Sequence, residues 1–299
     1  MTSIVKNPAA RTALEGWYQT FRAKIPVRTT ERRVTTRYGE TNVLVGGPEN
    51  GPAIVVLHGA LASSAHVLSE LAPLLSTFRV YAVDIIGQSV MSAEVRPSVS
   101  DNSYGLWLAE VMDGLALPKA HVIGVSYGGF VVLRLAAHAP TRINRLVLLV
   151  PAGVVGGPPL DGFLKVGLPM LMYRAFPSEK RLARSLQYLL TTPGDDWTPY
   201  LGEALRGISL DMRVPPLAKP EEFVNLTAPT LVVGADNDLS FPGQKLLDRV
   251  SKLLPNLKDK ELIANCRHCP PTTDEFRAWL SGRISRFLLD APRSERGLL

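Results

Sequence analysis

Gly124, Val125, Ser126, Tyr127 and Gly128 spell G-x-S-x-G, and Gly129 follows. That pattern alone arises by chance in roughly one chain in ten of this size, so its flanks decide its weight. A β-branched run at 121–125 leads into Ser126 and an apolar, helix-compatible run at 130–137 leaves it. This is the strand, sharp turn and helix that a nucleophile elbow requires. Glycines two residues either side suit such a turn, because strand and helix approach too closely there to leave room for a Cβ. A serine hydroxyl is a poor nucleophile at neutral pH, so a positioned base must be sought, usually histidine.

Five histidines are available, which permits elimination. His58 ends the first core strand and precedes Gly59, His66 opens a helix, His121 lies inside the strand before Ser126, and His138 ends the helix after it. Structural roles are the expectation for these four. His268 follows a strand at 261–264 and precedes a helix, so it occupies a loop at the carboxyl edge of a parallel sheet, where ligands and catalysts gather. An imidazole acting as base needs a carboxylate to fix its tautomer and stabilise its cation. The strand at 230–233 runs into Gly234-Ala235-Asp236-Asn237-Asp238 and delivers two aspartates to that edge. Asp238 is the better candidate. Asp236 stands close to the strand end and suits turn-shaping bonds to nearby backbone amides. The end of the strand at 145–150 offers no acid before Asp161.

The elements that must position these residues show in the periodicity. Short apolar, β-branched runs at 53–57, 79–83, 120–125, 145–150, 230–233 and 261–264 alternate with helical stretches, the mark of an α/β fold with a mostly parallel sheet covered on both faces. Tyr104, Trp107, Leu108, Val111, Met112 and Leu115 line one helical face, as do Phe276, Trp279, Leu280, Ile284, Phe287 and Leu288. Thr272 and Glu275 stand at capping-box spacing before the second of these helices. The alternation lapses between Pro151 and about Glu222. Glycines and prolines there give way to apolar helical segments at 164–176 and 181–190, so a helical insertion is expected. The division is a core from 1–152 and 222–299 around an insertion at 153–221. The segment 290–299 has the composition of a frayed polar tail.

Composition sets outer bounds. In 299 residues, hydrophobic side chains make up 46% and charged ones 20%, which excludes a disordered, collagen-like or coiled-coil chain. No apolar run reaches membrane-spanning length, and no apolar stretch precedes Arg11, so neither a membrane partner nor a secretory signal is expected. Cys266 and Cys269, the only two cysteines, are too few for a disulfide scaffold or a four-cysteine zinc site. A reduced, cytoplasmic setting follows. The net charge of +6 is scattered along the chain, with no basic stripe interleaved with aromatics, so no nucleic-acid partner is expected.

With Ser126, Asp238 and His268 in that order, the chain resembles the serine hydrolases of the α/β-hydrolase superfamily, of carboxylesterase type. The resemblance implies a mostly parallel eight-stranded sheet flanked by helices, with 153–221 as a helical cap. It also implies that His58-Gly59-Ala60 is the turn whose third residue gives one oxyanion-hole amide, with Tyr127 giving the other and His58 serving the turn. Two departures stand out: Arg267 occupies the place of the glycine usual before the catalytic histidine, and the turn at 84–89 lacks a second glycine. The implied activity is cofactor-free cleavage of a small-molecule ester, with no metal. Phe163, Leu164, Met170, Leu171, Met172 and Tyr173 are placed either along an acyl or alcohol pocket or in the core of the cap. Carbon–carbon bond hydrolases and cofactor-free haloperoxidases share this residue set, whereas dehalogenases and epoxide hydrolases use an aspartate where Ser126 stands. Two further readings remain: a non-catalytic ligand-binding protein on the same scaffold, and a redox pair or half metal site at Cys266-Arg267-His268-Cys269.

Overall fold

A computed structural model describes residues 3–192, 194 and 196–290; the expected tail lies outside them from residue 291 on. The chain opens with helix α1 (Pro8–Ala23) and an antiparallel pair, β1 (Thr30–Thr36) and β2 (Gly39–Gly46). There follow β3 (Ala53–Leu57), α2 (Ser64–Glu70), β4 (Arg79–Val83), α3 (Ser103–Gly114), β5 (Ala120–Val125), α4 (Tyr127–His138) and β6 (Ile143–Leu149). Next come α5 (Pro159–Gly162), a π-helical turn (Phe163–Gly167), α6 (Leu168–Ala175), α7 (Glu179–Leu186) and α8 (Trp197–Gly207). β7 (Thr230–Ala235), α9 (Gly243–Leu253), β8 (Leu257–Ile263) and α10 (Asp274–Leu288) close the described chain.

The eight strands form one sheet in the order β1-β2-β4-β3-β5-β6-β7-β8. β2 meets β4 antiparallel, and every pairing from β4 through β8 is parallel. Alternation of side chains along a strand divides the interior in two. Val55, Leu57, Val122, Leu146 and Val232 point toward α3, α4 and α9, around Trp107 and Phe130. Ile54, Val56, Val80, Ile123, Val147 and Leu231 point the other way, toward α1, α2, α8 and α10. The central strands are therefore apolar at consecutive positions, as a sheet buried on both faces demands.

The limits of three strands and one cap differ from expectation. β6 begins at Ile143, β7 extends to Ala235, and β8 begins at Leu257 and ends at Ile263. β8 is an edge strand whose exposed side alternates Lys258 and Lys260, so charge masked its start. Helix α10 is capped by Thr273, whose side chain accepts from the Phe276 N–H at 3.3 Å, not by a box at Thr272. Thr272 instead donates its own N–H to Thr192 Oγ1.

Candidate active site

Every residue singled out for chemistry stands at the carboxyl end of a parallel strand: His58-Gly59-Ala60 after β3, Ser126 after β5, Asp238 after β7 and His268 after β8. Ser126 holds φ 50° and ψ −114°, a left-handed backbone that costs a non-glycine residue about 1–3 kcal/mol. The turn is tight enough that a Cβ on Gly124 would stand 2.6 Å from the Gly128 carbonyl oxygen. One on Gly128 would stand 2.5 Å from that of Leu57. The turn is pinned by the Ser126 N–H donating to the Leu149 carbonyl, and by the Gly129 and Ala152 N–H groups donating to the Ser126 carbonyl.

The serine, histidine and aspartate come together. Ser126 Oγ lies 2.9 Å from His268 Nε2, and His268 Nδ1 lies 2.7 Å from Asp238 Oδ2. Asp238 is buried at 3% exposure, and its Oδ1 accepts from the Ser240 and Phe241 N–H groups at 2.7 and 3.0 Å. Burial alone would raise its pKa. The His268 charge and hydrogen bond, joined by the two backbone donors, outweigh that and hold the carboxyl below its ordinary value. Asp236 takes the turn-shaping place expected of it, accepting from the Asn265 and Cys266 N–H groups at 2.9 Å each. It thereby ties the end of β7 to the loop that carries His268.

Arg267 finds its use outside the relay. Its N–H donates to Thr191 Oγ1 and its Nη1 to the Leu190 carbonyl, both at 2.9 Å. Cys269 donates its N–H to the Leu189 carbonyl and accepts from the Thr191 N–H. The histidine loop is thus stitched on both sides to the chain that follows α7. Cys266 and Cys269 are free thiols, and burial pushes them up to about 11 and about 12, so neither carries appreciable thiolate at neutral pH.

His58 is fully buried. Its Nε2 accepts from the Ile85 N–H at 2.9 Å, which leaves the proton on Nδ1 to donate to the Gly59 carbonyl at 2.7 Å. Burial keeps this imidazole neutral, lowering its pKa. The bond fixes the turn, and Gly59 passes so close that a Cβ there would stand 3.3 Å from Ser126 Cβ. Ala60 follows, exposed beside Ser126 in the same cavity. Tyr127 begins α4, where helix N–H groups lack intrahelical partners. Its ring turns away and packs edge-on against Tyr104. His66, His121 and His138 lie in α2, β5 and α4 and make no hydrogen bond to the relay, although His66 borders the same cavity as Ser126 and His268.

The relay opens into a cavity of about 370 Å³. Gly59, Ala60, Ser126 and His268 line it beside the relay, and Val166, Met170, Leu186, Leu201, Leu205 and Phe276 are among its apolar walls. Of the six residues expected in an acyl pocket or cap core, only Met170 lines this cavity. Tyr173 is buried without lining it, while Phe163, Leu164, Leu171 and Met172 are exposed. Helices placed by one-dimensional spacing carry no information on which neighbour each face will meet. One charged cluster also borders the cavity and was missed: Arg277 makes a two-pronged contact with Glu70 at 2.9 and 3.0 Å, and Trp197 Nε1 donates to Glu70 at 3.0 Å. These residues come from α2, α8 and α10, and no local motif joins them. Among the described residues, no group of three or more His, Cys, Asp or Glu side chains is placed to hold a metal ion, and no helix is long and apolar enough to cross a membrane.

Residues 52–181 match the family model described as alpha/beta hydrolase fold. The chain is similar to the carboxylesterase YbfK of Bacillus subtilis, 27% identical over 81% of this chain and 83% of that one. It is also similar to a 2-hydroxy-6-oxononadienedioate/2-hydroxy-6-oxononatrienedioate hydrolase of Cupriavidus pinatubonensis, 28% identical over 71% of this chain and 81% of that one. The crystal structure of naproxen esterase from Bacillus subtilis superimposes with a TM-score of 0.77 at 25% identity, covering 96% of this chain and 99% of that one.

Proposed function

The chain has the α/β-hydrolase fold, and on that fold we propose a serine hydrolase that cleaves carboxylic esters of small molecules without a cofactor. The observation that carries the reading is the unbroken relay from Ser126 Oγ through His268 to Asp238, opening into an apolar cavity. His268 Nε2 takes the proton as Ser126 Oγ attacks the acyl carbonyl, and Asp238 steadies the imidazolium. The Ala60 and Tyr127 N–H groups receive the developing oxyanion; losing one such donor typically costs about 3 kcal/mol of transition-state stabilisation. The imidazolium then protonates the leaving alcohol, and water, deprotonated by His268, releases the acid and restores Ser126. The helical stretch at 153–221 serves as a cap, since Val166, Met170, Leu186, Leu201 and Leu205 wall the cavity from it.

The carboxylesterase relative and the apolar walls favour an ester. The ring-fission hydrolase relative supports a second reading, hydrolysis of a carbon–carbon bond in a diketone by the same relay. Incubation with a fluorophosphonate probe tests the mechanism: one adduct per chain at Ser126 is expected, together with hydrolysis of short p-nitrophenyl esters that Ser126→Ala abolishes. An unlabelled chain overturns it and favours a ligand-binding role, and an alanine variant as fast as the wild type overturns it by removing Ser126 from the chemistry. Esters cleaved in preference to ring-fission diketones decide for the first reading, and the reverse preference for the second.

A further inference from the structure

The run from α5 through the π-helical turn to α6 keeps helical backbone at both junctions: Gly162 has φ −59° and ψ −45°, and Gly167 has φ −61° and ψ −53°. It is therefore a single rod. Its inner side turns Val166 and Met170 to the cavity and buries Pro169 and Tyr173. Its outer side carries Leu160, Phe163, Leu164, Leu168 and Leu171, with Phe176 at the end, each between 39% and 68% exposed. Scattered exposed leucines need no explanation, but a row of them along one helix marks an interaction surface.

Charge indicates what covers the row. From 160 to 186 the chain has five basic residues, Lys165, Arg174, Lys180, Arg181 and Arg184, against two acidic ones, Asp161 and Glu179, a net of +3. Lys180, Arg181 and Arg184 are exposed on α7, the next element. A second copy docking face to face would set +3 against +3. An anionic surface neutralises the same charges while its acyl layer receives the leucines. We propose that the outer face of this rod docks on an anionic lipid surface, with the apolar row sunk to the headgroup–acyl boundary and the α7 cations over the lipid phosphates. The rod's inner face walls the cavity, so docking places that cavity beside the interface. Docking needs no catalysis, and its test reads binding rather than hydrolysis.

The test is flotation of the full chain with phosphatidylcholine vesicles, with and without phosphatidylglycerol, at low and high salt. The wild type is expected to float with the anionic vesicles and to lose partition as salt rises. Leu164→Glu with Leu171→Glu should lower the partition constant about ten-fold or more. Lys180→Gln with Arg181→Gln and Arg184→Gln should lower it by at least about ten-fold on anionic vesicles and flatten the salt dependence. Matching circular dichroism and melting curves establish that both variants are folded. Wild type that stays unbound to anionic vesicles overturns the proposal, as does equal partition of wild type and both variants. A wild-type dimer in sedimentation that Leu164→Glu with Leu171→Glu splits also overturns it, and assigns the face to a second copy.

Discussion

Asp238 divides its two oxygens between two tasks. Oδ1 holds the Ser240 and Phe241 N–H groups and Oδ2 faces His268 Nδ1. Asp238→Asn keeps the shape but not this division. The two backbone donors demand an acceptor, so the amide oxygen stays with them and the NH₂ turns to the imidazole. That forces the proton onto His268 Nε2, which then donates to Ser126 instead of accepting from it. The expected result is a fall in kcat of about ten-thousand-fold with KM little changed, measured on a short p-nitrophenyl ester. A second consequence concerns acid. The Asp238 carboxyl is held below its ordinary pKa, so its stabilising effect is complete above the unfolded-state value and disappears as pH falls through the lower folded-state one. The difference in melting temperature between wild type and Asp238→Asn should therefore shrink from neutral pH to about pH 3. A constant gap would show that the carboxylate's charge contributes nothing to folding.

At the scale of elements, the site is only as well placed as the packing of α4 against β3 and β5 allows. Gly128 is the closest point, since an added Cβ would stand 2.5 Å from the Leu57 carbonyl oxygen and 2.7 Å from that of His58. Both are backbone atoms that cannot rotate aside. Gly128→Ala is expected to destabilise the fold by about 1–3 kcal/mol, read from the denaturant midpoint. It should also lower kcat more than it raises KM, because the displaced strand leads into the His58-Gly59-Ala60 turn. Unchanged midpoint and rate would show that β3 yields freely. The strands of this scaffold were legible in the sequence where both sheet faces are covered, since 53–57, 79–83 and 120–125 match β3, β4 and β5. The relay was legible too, because each of its members follows a strand end. β1 and β2 escaped notice: Thr30–Thr36 lies on the sheet edge with only Val34 and Thr36 buried, so no apolar run marks it, and the buried stretch of β2 opens on the polar Thr41 and Asn42, which leaves only Val43, Leu44 and Val45 as an apolar run. Helix α1 left a signal that went unread, with Asn7 capping it before Pro8 and with Leu14, Tyr18 and Phe21 on its buried face. The cavity walls lay beyond sequence reading because they converge from several separate elements.

Over the whole molecule, the unread helix joins the sheet to the helices that wall the cavity. The N-terminal segment pairs with the end of α8 and the residues just after it, with the Lys6 N–H donating to the Gly207 carbonyl at 2.9 Å and the Ser209 N–H to the Ile4 carbonyl at 2.7 Å. From α1, Phe21 stacks on His66 of α2 at 4.0 Å between ring centroids and meets Tyr200 of α8 edge-on at 5.4 Å. The Tyr200 hydroxyl in turn donates to the Leu61 carbonyl, one residue beyond Ala60. Phe21 is thus the wedge through which the core holds α8, and Trp197, Leu201 and Leu205 of α8 border the cavity. Phe21→Ala removes a buried ring, a change that commonly costs about 3–5 kcal/mol. The low end of that range is expected, because both ring nitrogens of His66 lack hydrogen-bond partners among the described residues and the vacated space would let water reach them. The loss should be uneven. Amides of α8 are expected to exchange hydrogen faster by a larger factor than those of β5 and β6, and KM for an apolar ester should rise more than kcat falls, since the wall moves while the relay stays on the sheet. Uniform acceleration of exchange would mean that Phe21 supports the fold as a whole; acceleration confined to α8 and its neighbours would identify α1 as the brace that sets the shape of the cavity.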